Sequence, residues 1–276
     1  MSTETAKAPS WAYYTQPEFV EVGGLSTAYR RKGQGERVVY LHSDGLTRAW
    51  LPFFEKLSGA VDCVVPEHPG YGETPINDEI QSFEDLVLHY DGLLDALGLE
   101  PVHLVGHGLG GWLAADLAVF YPRRFKSLTL ITPTGLRLPD VPSIDTFRML
   151  PEERLSALLN GREAAYAEYF EQEGDPDDMI RAMVESAATA RLMWNPRYDH
   201  RLDHRLRRVS TPTLVIGAQE DRVVPTAMAG RYAELIPDAR LITFEGPTGQ
   251  SSGHLPHLEH PAEISGLVTQ HVAANT

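Results

Sequence analysis

Two kinds of apolar spacing alternate along this chain. Short runs such as Val38–Leu41, Val61–Val65, Ser127–Ile131, Thr213–Ile216 and Arg240–Phe244 have the length and composition of strands. Between them lie stretches such as Phe83–Leu97, whose apolar residues recur at helical spacing. Strands that alternate with helices build a mostly parallel sheet, so the predicted class is α/β, a doubly wound sheet of about eight strands. From Phe19 the pattern reads strand, turn at Gly23-Gly24, strand, turn at Gly33-Gln-Gly35, strand, a hairpin that feeds the sheet. After Thr134 the rhythm breaks. From about Gly135 to Arg208 only helical segments occur, at Pro151–Leu159, Arg162–Gln172 and Asp177–Ala190. The predicted division is an extended arm over 1–17, a core over 18–134 and 209–276, and a helical unit over 135–208.

The run Val102–Trp112 is a strand that enters a glycine-rich turn and then a helix, with Gly108 at the apex. Written Gly106-x-Gly108-x-x-Gly111, it matches a dinucleotide fingerprint, which needs an acid about 20 residues on, after the next strand. That strand, Ser127–Ile131, runs into Thr132-Pro-Thr-Gly135 with no acid, and strands already precede the motif, so no cofactor is expected. Written Gly106-His107-Gly108-Leu109-Gly110, the same turn is a G-x-S-x-G nucleophile elbow without its serine. An elbow needs an acid and then a histidine later in the chain. Asp221 follows the strand Thr213–Ile216, and His254 ends the loop after Arg240–Phe244. Side chains at the carboxyl ends of parallel strands converge on one crevice, so position 108, Asp221 and His254 are expected to meet.

With Leu41-His42-Ser43-Asp44-Gly45 after the first core strand and Glu67-His-Pro-Gly-Tyr-Gly72 after the next, the order of features resembles the α/β-hydrolase superfamily over about residues 18–273. The resemblance implies a helical cap inserted after strand 6, with Phe147, Met193, Trp194 and Tyr169 as expected substrate contacts. It also implies an oxyanion hole formed by the Leu109 N–H and the loop of Ser43 and Asp44. In this template the histidine takes the nucleophile's proton and the acid fixes the imidazole. Ser43 and Asp44 depart from the family's loop, which has glycine after the histidine. Ser43 is expected to present backbone N–H groups, with a role as substitute nucleophile the lesser alternative. Asp44 is expected to turn away, to pair with Arg48 or to be protonated by burial, the alternatives for it being a substrate-binding group or an acid catalyst. His107 and His42 are expected to brace the turn and the loop, with His257 and His260 exposed.

The implied reaction is hydrolysis of a small to medium, largely apolar ester or lactone by Ser-His-Asp-type chemistry. With glycine as the nucleophile residue, the reading adopted is an inactivated form. The alternatives are a C–C bond hydrolase, a cofactor-free His-Asp enzyme and a ligand-binding pseudo-hydrolase. Composition narrows the partners. A net charge of −14 opposes nucleic acid and anionic membranes, which call for a basic face. The single cysteine, Cys63, excludes an intramolecular disulfide, and the start lacks an apolar signal segment, so a cytoplasmic protein is expected. His200 and His204 lack the glutamate of a zinc-protease motif, and no metal is expected. The expected partner is a small-molecule substrate.

Overall fold

Strand β5, Val102–His107, is buried along its whole length and shows how the molecule is layered. Its Val102 and Leu104 face one apolar cluster, whereas Val105 faces the other. Strand β3, Arg37–Leu41, alternates in the same way, with Val39 and Leu41 on the first face and Val38 and Tyr40 on the second. Period-two alternation of apolar residues on both faces is what a sheet covered by helices on each side requires. The computed structural model describes residues 11–43, 45–141, 144–170, 176–246 and 251–276, the side chains of 176–178 excepted.

The remaining strands are β1 (Glu18–Val22), β2 (Leu25–Lys32), β4 (Asp62–Pro66), β6 (Phe125–Ile131), β7 (Thr213–Ala218) and β8 (Arg240–Phe244). They form one eight-stranded sheet in the order β1-β2-β4-β3-β5-β6-β7-β8. β2 pairs antiparallel with β1 and with β4, and all other pairs are parallel. The first hairpin therefore feeds the sheet beside β4, with β3 one place further in.

The helices are α1 (Pro52–Ser58), α2 (Phe83–Ala96), α3 (Leu109–Phe120), α4 (Pro151–Leu158), α5 (Glu163–Tyr166), α6 (Pro176–Met193), α7 (Leu202–Leu206), α8 (Thr226–Leu235), α9 (Pro256–Glu259) and α10 (Pro261–Ala273). α2, α3, α7 and α8 cover the first face of the sheet, and α1, α9 and α10 the second. On α2, Ser82 caps the start by accepting the Asp85 N–H at 3.1 Å. Phe83 then stacks on Trp112 of α3 at 3.7 Å. Leu104 and Leu113 are essentially fully buried, and truncating either to alanine would cost about 2–5 kcal/mol.

Three sequence expectations change. The arm docks, at least over its described part: Trp11 Nε1 donates to the Glu168 carbonyl at 3.0 Å, and Tyr13 packs on Tyr169 at 4.7 Å. Of the helix expected over Arg162–Gln172, the described residues, up to Phe170, form α5 followed by a single 3-10 turn at Ala167–Tyr169, and the rest lies outside the described residues. His257 and His260 are buried. His257 has Tyr40, Phe53 and His107 around it, a pocket built by three separate elements that local sequence does not reveal.

Sheet order fixes where chemistry can occur. From β3 the chain passes to β4 on one side, then crosses to β5 on the other, so β3 and β5 are neighbours with opposite onward connections. At such a switch point the loops leaving the two strands part and open a crevice. Leu41 pairs with Gly106, which brings the residues after them, Ser43 and Gly108, to the same opening.

Candidate active site

The turn from β5 into α3 holds Gly108 at φ 54° and ψ −115°. Its N–H donates to the Ile131 carbonyl at 3.0 Å, and its own carbonyl accepts from the N–H groups of Trp112 and Thr134 at 3.2 and 3.1 Å. A left-handed φ is strained for any residue with a β-carbon, so glycine relaxes an apex that a serine would occupy under strain. Gly106 and Gly110 answer to space instead. A β-carbon on Gly106 would collide with the Gly110 carbonyl, and one on Gly110 with the Leu41 carbonyl. These glycines let α3 start directly against β5 and β3.

Asp221 stands in the loop after β7 with its side chain almost wholly buried. One oxygen, Oδ1, accepts the N–H groups of Val223 and Val224 at 2.8 and 2.7 Å. The other, Oδ2, lies 2.8 Å from His254 Nδ1. A carboxylate so held only accepts, which assigns the proton to Nδ1 and leaves Nε2 as the basic nitrogen. A β-carbon placed on Gly108 falls 3.5 Å from His254 Nε2. The structure thus brings Gly108, Asp221 and His254 together.

Hydrogen bonds hold the His254 loop from two directions. His107 Nε2 and Thr132 Oγ1 donate to the His254 carbonyl at 2.9 and 3.3 Å. From the helical segment between β6 and β7, the Leu158 carbonyl accepts the His254 N–H at 3.2 Å, and Asn160 Nδ2 donates to the Glu220 carbonyl at 2.9 Å. Arg162 donates to the Ser251 carbonyl at 2.8 Å and pairs with Glu259. Glu259 in turn accepts the Gly253 N–H at 2.6 Å. Residues 158–162 therefore clamp both loops that carry the dyad. The sequence reading missed them, and no periodicity or motif marks them.

On the opposite wall, His68 N–H donates to His42 Nε2 at 2.9 Å, so His42 carries its proton on Nδ1 and donates it to the Ser43 carbonyl at 2.6 Å. The Leu109 N–H is directed at Ser43 Oγ at 3.5 Å. Ser43 thus presents its side chain to the apex. Asp44, expected beside it, lies outside the described residues.

Ser43, Leu109 and His254 line a cavity of about 510 Å³ together with Phe147, Met193 and Trp194. The fourth expected contact, Tyr169, is not among them. It lines a smaller cavity of about 290 Å³ with Trp11 and Arg48, drawn there by its packing against Tyr13. Arg137, also missed from sequence, lines the larger cavity. Its guanidinium lies 5.6 Å over the Tyr198 ring and has no carboxylate partner among the described residues. Among those residues no group of three His, Cys, Asp or Glu could hold a metal ion, and no helix is long and apolar enough to cross a membrane.

A family model described as the alpha/beta hydrolase family matches residues 38–267. The 2-hydroxy-6-oxo-6-phenylhexa-2,4-dienoate hydrolase of Comamonas testosteroni is 26% identical over 264 residues, which cover 87% of this chain and 88% of the relative. The 2-hydroxy-6-oxo-2,4-heptadienoate hydrolase of Pseudomonas putida is 27% identical, with 92% and 95% covered. A meta-cleavage product hydrolase from Pseudomonas fluorescens superposes with a TM-score of 0.75 at 25% identity, over 94% of this chain and 98% of that one. The dyad at the ends of β7 and β8, the glycine-lined turn after β5 and the match over most of the chain lead to one conclusion: this protein belongs to the alpha/beta hydrolase family.

Proposed function

We propose that this chain hydrolyses a bond next to a carbonyl in a substrate that also carries a carboxylate, with a carbon–carbon bond ahead of an ester or lactone. The observation that carries the reading is the Asp221–His254 pair, whose Nε2 is directed at the elbow apex inside the large cavity. In the first step His254 Nε2 takes the proton of an attacking O–H group as its oxygen adds to the carbonyl carbon. The Leu109 N–H and the N-terminal end of α3 favour the resulting oxyanion. Collapse of the adduct expels the carbon or oxygen leaving group, which receives the proton from the His254 imidazolium while Asp221 steadies the ring.

Two observations favour an acid-bearing substrate and C–C cleavage over the ester or lactone expected from sequence. The relatives described above are hydrolases of oxo-dienoates, compounds with both a ketone and a carboxylate. Arg137 also offers a fork of donors to the cavity with no carboxylate of the chain paired to it among the described residues. A volume of about 510 Å³ suits a small substrate. We read residues 135–208 as the cap over this cavity, with Phe147, Met193 and Trp194 as its apolar wall.

The test is turnover of a 2-hydroxy-6-oxo-dienoate, followed by loss of its visible absorbance, beside neutral aryl esters. The reading predicts turnover of the dienoate, at least about 10³-fold loss in His254→Ala, and a rise in KM larger than the fall in kcat for Arg137→Gln. Turnover of neutral esters alone, unaffected at Arg137, would contradict it.

A further inference from the structure

The site has a base and a place for an attacking oxygen, yet residue 108 carries no hydroxyl. The loop after β3 brings one. A β-carbon placed on Gly108 falls 2.7 Å from Ser43 Oγ and 2.9 Å from Ser43 Cβ, closer than non-bonded atoms tolerate. The Ser43 side chain therefore fills the volume that a side chain on residue 108 would need, and close packing does not let two share it. The same point lies 3.5 Å from His254 Nε2. Ser43 is buried, held through its carbonyl by His42, and lines the cavity that His254 and Arg137 also line.

From this arrangement we infer that Ser43 supplies the nucleophilic hydroxyl of this chain. The serine absent from the β5 turn and the serine present in the β3 loop are two ends of one exchange, possible because Leu41 and Gly106 are paired and their loops reach the same point. The inference rests on the dyad reading above and goes beyond it by naming the atom that attacks. The Ser43 Oγ–H proton passes to His254 Nε2 as the Oγ–carbon bond forms at the substrate carbonyl. The leaving group departs with its bonding electrons and takes that proton, which leaves an ester on Ser43. Water, deprotonated by His254, then adds to the ester, and Ser43 Oγ leaves with the proton back in place. The Leu109 N–H, directed at Oγ before attack, is then close to the oxyanion of each adduct.

The exchange also predicts that restoring serine at the apex alone does not help, since its side chain meets Ser43. Only Ser43→Gly together with Gly108→Ser makes room for the elbow arrangement.

The experiment is labelling with an alkyl fluorophosphonate, read by intact mass and peptide mapping, on the native chain, Ser43→Ala, His254→Ala and the Ser43→Gly/Gly108→Ser double variant, each first checked for cooperative unfolding. The expected result is one adduct on the native chain in the peptide that contains Ser43, formed at least about 10³-fold more slowly in Ser43→Ala and in His254→Ala. The double variant should label in the peptide that contains position 108. If the double variant labels and the native chain does not, Ser43 is not the nucleophile, while the dyad reading stands. Should the native chain label at any other residue, the inference also falls. If none of the four labels, both the inference and the reading beneath it are overturned.

Discussion

The two walls of the crevice differ in how they are built. On one, the loops after β7 and β8 place Asp221 and His254 in a 2.8 Å hydrogen bond, each near the strand that carries it in sequence. On the other, the loops after β3 and β5 meet at a point that either one can fill, and the side chain there belongs to Ser43, not to residue 108. The backbone of the second wall keeps the elbow turn, with Gly108 at φ 54°.

The largest effect expected on this comparison comes from the dyad wall. His254→Ala removes the base and lowers kcat by about 10³–10⁴-fold, and Asp221→Asn, which leaves the volume intact but misassigns the imidazole proton, lowers it by a similar factor. Steady-state kinetics on the dienoate checks both. An Asp221→Asn variant with near-native kcat would show that Asp221 does not set the state of His254 in the reaction.

Next in size is the contact across the second wall. Gly108→Ser alone should destabilise the fold by about 1–3 kcal/mol, from overpacking against Ser43 and from strain at a left-handed φ. With Ser43→Gly beside it, the overpacking part should vanish, so the two changes should couple by on the order of 1 kcal/mol in a double-mutant cycle of urea unfolding. Additive changes would mean that the two side chains do not compete.

The clamp over the dyad should show a smaller effect in stability and a clear one in kinetics. Arg162→Ala leaves the Glu259 carboxyl buried without its cationic partner, only the Gly253 N–H still facing it, which should cost about 1–3 kcal/mol. It should also raise hydrogen exchange in the Ser251–His254 backbone and lower kcat by on the order of tenfold. Unchanged exchange there would show that residues 158–162 only pack the helical segment.

The last effect, absent at neutral pH, concerns acid stability. Burial beside His254 holds the His257 pKa down to about 3, whereas the unfolded chain protonates near 6.5. The folded state thus refuses a proton that the unfolded state accepts. Its stability contribution is complete above about pH 6.5 and is lost progressively as pH falls from there toward 3. Burial pushes His68 and His107 down as well. His257→Gln should flatten the decline below pH 6 by up to about 1.4 kcal/mol per pH unit, seen as a crossing of the two stability curves. Parallel curves would place the acid sensitivity elsewhere.

The division between what sequence reveals and what it hides follows the same two walls. Alternating apolar runs announced the α/β class and its eight strands, because a strand buried on both faces has few other ways to be written. Asp221 and His254 were readable since each follows a strand at the carboxyl edge. The competition between Ser43 and residue 108 was not, because it depends on β3 lying beside β5, a neighbour relation between segments 66 residues apart. Arg137 and the clamp at 158–162 lie in a helical segment whose polar residues look alike until the fold selects a few of them. Tyr169 was misplaced for the same reason, since its partner Tyr13 comes from the arm. His257 shows the converse error: a polar residue reads as exposed until Tyr40 and Phe53 are seen to enclose it.

The most direct test is kcat/KM on the dienoate for four forms: the native chain, Ser43→Gly, Gly108→Ser, and both together. The native chain should be active, Ser43→Gly should fall by at least about 10³-fold, Gly108→Ser should not exceed the native chain, and the double variant should recover to within about tenfold of native. If Ser43→Gly turns over as fast as the native chain, or Gly108→Ser alone surpasses it, the exchange of the hydroxyl between the two loops is wrong.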